Sequence, residues 1–327
     1  MKRSKSFDQN LIKRILKHID KNENFIITTH VNPDGDSIAS LLVFSYLLKY
    51  KNKRYRLLLD DKIPKKFDFL AGVKEIEGMD ISSKAIDPEV VVVLDSSDLG
   101  RIGRVKELIA DDSKIINIDH HPSNDLFGDI NLIMDEESST VEIVYRLYSY
   151  LNIPVSEEVA TLVYTGVMCD TGRFHFSNTN YRSLSVCAEM VKFGASPTLI
   201  ANKIYYRMST KTAQALASAL SKIEFYFENR VACMYLLRCD YESSDEIDTE
   251  GFVDYLMAVE DTAVQFFMLE TEENTFRVSL RSKNSINVNE IARHFGGGGH
   301  FRASGCTIHG TLDEIKSKIL GTIEMYL

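Results

Sequence analysis

Residues 25–50, FIITTHVNPDGDSIASLLVFSYLLKY, carry the pattern that decides the fold class. Phe25 to Thr29 is a short apolar and β-branched run that reads as a strand. The polar loop after it contains Pro33 and Gly35, residues that interrupt regular structure. From about Ser37 to Tyr50 the pattern predicts a helix. Strand, loop and helix make the opening half of a βαβ unit, and the order recurs along the first half of the chain. Arg56–Leu59, Val90–Leu94 (VVVVL) and Ile115–Ile118 read as further strands, with Asn131–Met134 as another. Helices are predicted at Ser139–Leu151, Glu157–Met168 and Tyr181–Phe193. The fold class expected is therefore α/β, with an N-terminal, mainly parallel sheet flanked by helices.

Around Gly194-Ala195-Ser196-Pro197 the periodicity breaks. The expected division is a first domain over 1–195, a linker over 196–211 and a smaller α/β domain over 212–327. After a helix near Thr210–Leu220, the runs Lys222–Phe227 and Val231–Leu237 read as a hairpin across Asn229-Arg230. Thr262–Leu269 and Thr275–Leu280 read as strands, followed by a glycine tract and a closing helix from Thr311.

A chain of 327 residues is comfortable for two cores. Its formal charge of −9 argues against a protein that coats long nucleic acid through its overall field. It leaves a nucleotide substrate open, because cations can neutralise acidic site residues. The five cysteines are scattered, with no C-x-x-C pair, which gives neither a disulfide framework nor a zinc finger. The N-terminus, MKRSKSFDQNLIKRILKHI, reads as an amphipathic helix rather than a signal peptide. No run approaches the roughly 18 apolar residues of a membrane span. The expectation is a soluble, cytoplasmic protein with no membrane contact.

The chemistry-bearing residues fall just past the expected strand ends, where open α/β sheets place their sites. THVNPDGDS supplies His30, Asp34 and Asp36; Asp95 follows VVVVL; Asp119, His120 and His121 follow the Ile115–Ile118 strand; Asp170 ends a helix in MCDTGRF. Each has a plainer reading. Asp34-Gly35-Asp36 reads equally as a turn in which Asp36 or Ser37 caps the next helix. Asp95 reads as a cap, and His120 as a satisfied, partly buried histidine. The coincidence of three strands and one helix delivering acids and imidazoles to one sheet edge is what turns and caps do not require. Six candidate ligands result: His30, Asp34, Asp36, Asp95, His120 and Asp170. Two divalent cations roughly 3.5–4 Å apart are a means of hydrolysing an anionic phosphodiester. Mixed imidazole and carboxylate donors suit Mn²⁺, with Fe²⁺, Zn²⁺ or Co²⁺ as alternatives, better than Mg²⁺.

The blocks THVNPDGDS, VVVVLDSSD, IDHHPSND, CDTGRF and GGGGHFRASG, in that order over residues 30–305, resemble the DHH phosphoesterase family with its C-terminal DHH-associated domain. The two-domain form resembles the bacterial nanoRNase and pAp-phosphatase branch and the related cyclic-dinucleotide and pApA phosphodiesterases. The resemblance implies an active site in the cleft between the domains. It further implies that His30 and Asp34 hold one metal, that Asp36, His120 and Asp170 hold the other, and that Asp95 bridges them. A bridging water or hydroxide would be the nucleophile. Asp119 would orient His120, while His121 would touch phosphate or the leaving group. Asn32 and Pro33 would shape the first loop, with Gly35 permitting its tight path. A homodimer is implied as well.

In the second domain the resemblance implies substrate contacts by Arg281 and by Gly297, Gly298, Gly299 and His300. Physically, glycine backbone N–H groups can approach an anion closely; the alternative is a loop or a helix C-terminus. Arg302 reads equally as a phosphate contact or a solvated charge. Arg101 and Arg104, in DLGRIGR, read as substrate contacts or as decoration of a helix start, with Arg104 the more superficial. His175 stands where an arginine is common in the branch, and Arg173 is a candidate to compensate. The expected substrates are short: pApA, oligonucleotides of a few units, or the bisphosphate pAp, and no long duplex. The remaining alternatives are opening of cyclic-di-AMP, an inorganic pyrophosphatase of the manganese type, and a non-catalytic nucleotide binder.

Overall fold

The computed structural model describes residues 9–79, 88–241, 247–283 and 285–327, with the side chain of His300 outside the description. The chain divides into two compact units, Met1–Arg207 and Met208–Leu327.

The first unit contains, in order, α1 (Gln9–Lys21), β1 (Asn24–Thr28), α2 (Gly35–Tyr50), β2 (Arg54–Leu59), β3 (Ile76–Gly78), β4 (Val90–Leu94), β5 (Lys114–Asp119), β6 (Ile130–Ile133), α3 (Thr140–Leu151), α4 (Glu157–Asp170), α5 (Tyr181–Lys192) and α6 (Pro197–Ile204). The six strands lie in the order β3-β2-β1-β4-β5-β6, and every described pairing is parallel. Side-chain alternation explains why the strands are apolar throughout: Phe25, Ile27, Val90 and Val92 face the core built by the helices, while Ile26, Val91 and Val93 face a second core with Ile102 and Val105. The last two belong to a 3₁₀ segment, Leu99–Leu108. Chain order reverses between β1 and β4, so their carboxyl ends flank a crevice, the topological switch point of a doubly wound sheet.

The second unit contains α7 (Thr210–Leu220), β7 (Glu224–Tyr226), β8 (Val231–Leu236), β9 (Val264–Glu272), β10 (Thr275–Ser282), α8 (Val288–His294), β11 (Gly298–His300), β12 (Ala303–His309) and α9 (Leu312–Glu324). Its sheet runs β11-β12-β10-β9-β8-β7, antiparallel except where β8 meets β9. The expected α/β class, parallel N-terminal sheet and C-terminal α/β domain are all present.

The segment 196–211 carries α6 and the start of α7, and Ile200 and Ile204 are buried in the first core. It is therefore mostly helix. The glycine tract takes the helix-end reading, with a strand after it. Gly296, at φ 74°, ends α8; its N–H donates to Arg293 O at 3.0 Å, and Gly297 N–H to Ala292 O at 2.9 Å, the pairing of a Schellman motif. A Cβ on Gly297 would lie 2.1 Å from the Gly305 carbonyl oxygen, so the next strand packs where only glycine fits. Among the described residues, no helix is long and apolar enough to cross a membrane.

Candidate metal centre

His30 follows β1, Asp95 follows β4, and Asp119-His120-His121 closes and follows β5, so three neighbouring strands aim their ends into the switch-point crevice. Asp95 adopts φ 55°, a left-handed conformation that costs a non-glycine residue of order 1–3 kcal/mol. Its backbone N–H is retained on Ile118 O at 3.0 Å. The strain turns the carboxylate into the centre of the cluster.

The candidate ligand atoms fall into groups whose members all lie within 4.8 Å of one another: His30, Asp34 and Asp95; Asp36, His120 and Asp170; and Asp95 with His120 and His121. Asp95 belongs to two of them and presents both oxygens, Oδ2 at 3.7 Å from His30 Nε2 and Oδ1 at 3.7 Å from His120 Nε2. His120 Nε2 is also 3.4 Å from Asp170 Oδ2, yet it is buried with no hydrogen-bond partner. Its other nitrogen, Nδ1, faces Glu137 O at 3.3 Å, and His30 Nδ1 faces Val31 O at 2.8 Å. A carbonyl only accepts, so both rings carry their proton on Nδ1 and turn the Nε2 lone pair inward. An orphaned lone pair facing carboxylates is unfavourable without a cation and is the arrangement a divalent metal satisfies.

The electrostatics agree. Burial, followed by the charge of Asp95, pushes the Asp36 and Asp170 carboxyls well above their ordinary range. Asp170 is also the last residue of α4, at the negative end of the helix dipole. Burial opposes ionisation of Asp95 too, but the imidazoles around it, His30 first and then His121 and His120, hold its carboxyl low. Burial lowers His120. It acts against His30 and His121 as well, yet Asp95 raises the first and Asp119 the second.

Several of these residues have further partners in the structure. Asp34 itself caps α2: its Oδ1 accepts from Ser37 N–H at 3.0 Å, and Ser37 Oγ accepts from Asp34 N–H at 2.9 Å. Asp36 instead accepts at the start of α3, from Thr140 N–H at 2.6 Å and Val141 N–H at 3.0 Å. Asp119 does not meet the His120 ring; Oδ1 accepts from the His120 backbone N–H at 2.8 Å and pairs with His121 Nδ1 at 2.7 Å. Gly35 matters through close approach: a Cβ there would sit 2.3 Å from Cys169 Sγ on α4.

The arginines separate. Arg101 lends its carbonyl to Val31 N–H at 2.7 Å, and its charge reaches His30 and His121. Arg104 pairs with Asp60, Nε to Oδ1 at 2.6 Å, as a surface tie between the 3₁₀ segment and the residue that follows β2. Arg173 stacks over Tyr205, 4.8 Å from the ring centroid. His175 is exposed, while Phe174 packs against Tyr164 in the core. In the second unit Arg281 is held by Asp254 at 2.9 Å, Arg302 is exposed, and the His300 side chain lies outside the described residues.

Sequence patterns gave no hint of the frame around the ligands. Glu137 O, Thr140 and Val141 N–H contact His120, Asp36 and Asp95 from the start of α3. Asn178 Nδ2 donates to Ser138 O at 3.0 Å and to Asp170 O at 3.1 Å. Asn124 Nδ2 donates to Asp119 Oδ2 at 2.7 Å. A Ser139…Glu142 capping-box spacing says nothing about a metal, and in the structure Glu142 accepts from Ser138 while the Ser139 side chain makes no cap.

Known proteins resemble this chain along nearly its whole length. The DHH family N-terminal domain matches residues 24–167 and the DHHA1 domain residues 228–325. The bifunctional oligoribonuclease and PAP phosphatase NrnA of Thermus thermophilus is 31% identical over 314 residues, covering 96% of this chain and 92% of that protein. Its Bacillus subtilis namesake is 26% identical over 316 residues, covering 95% and 96%. The crystal structure of an exopolyphosphatase-related protein from Bacteroides fragilis superposes with a TM-score of 0.91 at 28% identity, covering 98% of both chains. With both domains matched in order and this likeness along nearly its whole length, the chain belongs to the DHH family, as a phosphoesterase of the type that the Thermus and Bacillus proteins represent.

Proposed function

We propose that this hydrolase is a two-metal enzyme of the Mn²⁺ type that cleaves short oligonucleotides, such as pApA, to mononucleotides and removes a phosphate from pAp to give AMP. The observation that carries the reading is the buried, unpartnered Nε2 of His120 facing Asp95 and Asp170, with His30 Nε2 on the other side of the Asp95 carboxylate. When bound, two divalent cations supply Lewis acidity toward the phosphate and acidify the attacking water.

The chain's own residues do the rest. His30, Asp34 and Asp95 would hold one cation, and Asp36, His120 and Asp170 the other, with Asp95 shared. His121, whose charged form Asp119 favours, is assigned to the phosphate or the leaving oxygen, with the Arg101 charge beside it. In the second unit, Arg281, Gly297 and β11 (Gly298–His300) are assigned to the substrate. The names of the relatives and the net charge of −9 together support a short anionic substrate over a long one. The homodimer implied by the family likeness belongs to the same proposal.

The test is Mn²⁺-supported turnover of pApA, pAp, cyclic-di-AMP and a longer RNA, beside Asp95→Ala. Wild type should release AMP from the two small linear substrates, and the variant should lose on the order of 100-fold or more in rate. Equal activity in the variant would refute the site. Preferential opening of cyclic-di-AMP would replace the substrate assignment.

A further inference from the structure

Thr140, the first residue of α3, is wholly buried and touches two of the candidate ligands at once. Its N–H donates to Asp36 Oδ2 at 2.6 Å, and its Oγ1 donates to Asp95 Oδ1 at 2.9 Å. Asp36 lies in the group with His120 and Asp170, whereas Asp95 belongs to the group with His30 and Asp34 and faces His120 with its other oxygen. One residue therefore touches both halves of the cluster.

The hydroxyl has a specific consequence for Asp95. A carboxylate that serves two cations must keep one oxygen toward each, and rotation about its last torsion is otherwise soft. Oδ1 is the oxygen on the His120 side and the one that Thr140 engages; Oδ2 is the one on the His30 side. Fixing Oδ1 by a hydroxyl donor fixes the direction of Oδ2 as well. The N–H of the same residue, with that of Val141, locks Asp36 at the N-terminus of α3.

We propose that Thr140 is the positioning residue that divides the Asp95 carboxylate between the two cation positions. The proposal rests on the two-metal reading above. It predicts that the methyl of Thr140 is dispensable and the hydroxyl is not.

The experiment uses the full chain with Thr140→Val, which removes the hydroxyl at nearly constant volume, and Thr140→Ser, which keeps it; Thr140→Ala serves in place of the valine variant if that one fails to fold. Mn²⁺ is titrated calorimetrically into each protein, and the exchange-coupled spin signal of a manganese pair is followed by electron paramagnetic resonance. Metal-free melting reports on folding. Removing the hydroxyl should weaken one of the two Mn²⁺ ions by about 10–100-fold and diminish the coupled signal. Thr140→Ser should match wild type in both. Wild-type affinity and coupling in Thr140→Val, or an equal loss in Thr140→Ser, would overturn the role of the hydroxyl while leaving the two-metal reading intact. A wild-type protein that binds fewer than two Mn²⁺ would instead overturn the two-metal reading, and this inference with it.

Discussion

At the residue scale, the cluster is expensive because carboxylates are packed where water is excluded. Glu142 shows the cost away from the ligands themselves. It is buried, accepts from Ser138 N–H at 3.1 Å and Ser138 Oγ at 3.0 Å, and burial, followed by the Glu137 charge, raises it from 4.5 to about 7. Below its unfolded value the group is protonated in both states. Between the two values the folded protein keeps a proton that the unfolded chain has released, so stability falls as pH rises through this window. The full effect, up to about 3 kcal/mol, is present above the folded value. In metal-free protein, wild type should therefore lose stability relative to Glu142→Gln between about pH 5 and about pH 8. A difference that does not change with pH, measured by urea unfolding, would show that Glu142 is ionised throughout. The ligand candidates themselves were readable from sequence because acids and imidazoles just past strand ends are distinctive. Thr140, Asn124 and Asn178 were not, since neutral hydroxyls and amides carry no such signal and Thr140 lies 104 positions from the Asp36 it holds.

At the scale of the element, the same residue can be both structure and site, and substitutions can separate the two. Asp34 caps α2 and is also grouped with His30 and Asp95. Asparagine preserves a capping oxygen but not the charge. Asp34→Asn should keep metal-free stability within a few tenths of a kcal/mol, and Asp34→Ala should lose about 1 kcal/mol. Both should bind one Mn²⁺ at least ~10-fold more weakly; unchanged binding in Asp34→Asn, read by calorimetry, would leave Asp34 as a cap alone. The glycine tract divides in the same way. Gly297→Ala drives a Cβ into the Gly305 carbonyl and should cost about 1–3 kcal/mol in urea unfolding. A Cβ on Gly298 meets nothing nearer than Asn289 Oδ1 at 3.8 Å, so Gly298→Ala should fold normally. Lost turnover in that stable variant would support substrate contact there, whereas equal destabilisation of both would refute the packing account. Legibility follows composition. The strands β1, β4 and β5 were readable because they are β-branched runs. By contrast β11 is Gly-Gly-His, and the 3₁₀ segment Leu99–Leu108 mixes glycine and charge, so neither has a periodicity to read.

At the scale of the molecule, the position of the boundary is itself a physical claim. The buried core residues of Met1–Arg207 and those of Met208–Leu327 form separate clusters, and all six candidate ligands with the described partners named above lie in the first unit. A fragment ending at Arg207 should therefore fold and bind two Mn²⁺ within about threefold of the full-chain affinity, an energy of well under 1 kcal/mol. A fragment ending at 195, where the sequence pattern alone puts the first domain's end, removes Ile200 and Ile204 from the core. At about 1.5–3 kcal/mol for each buried isoleucine it should be less stable by roughly 3–6 kcal/mol, a large part of what a domain of this size possesses. Neither fragment contains Arg281, Gly297 or β11. If these grip the substrate, the 207-residue fragment should retain its metals and yet turn over pApA at least ~100-fold more slowly than the full chain, the equivalent of losing about 2.7 kcal/mol of transition-state binding. Loss of metals from that fragment would mean that the second unit supports the metal site, and full-rate turnover would remove the second unit from substrate recognition.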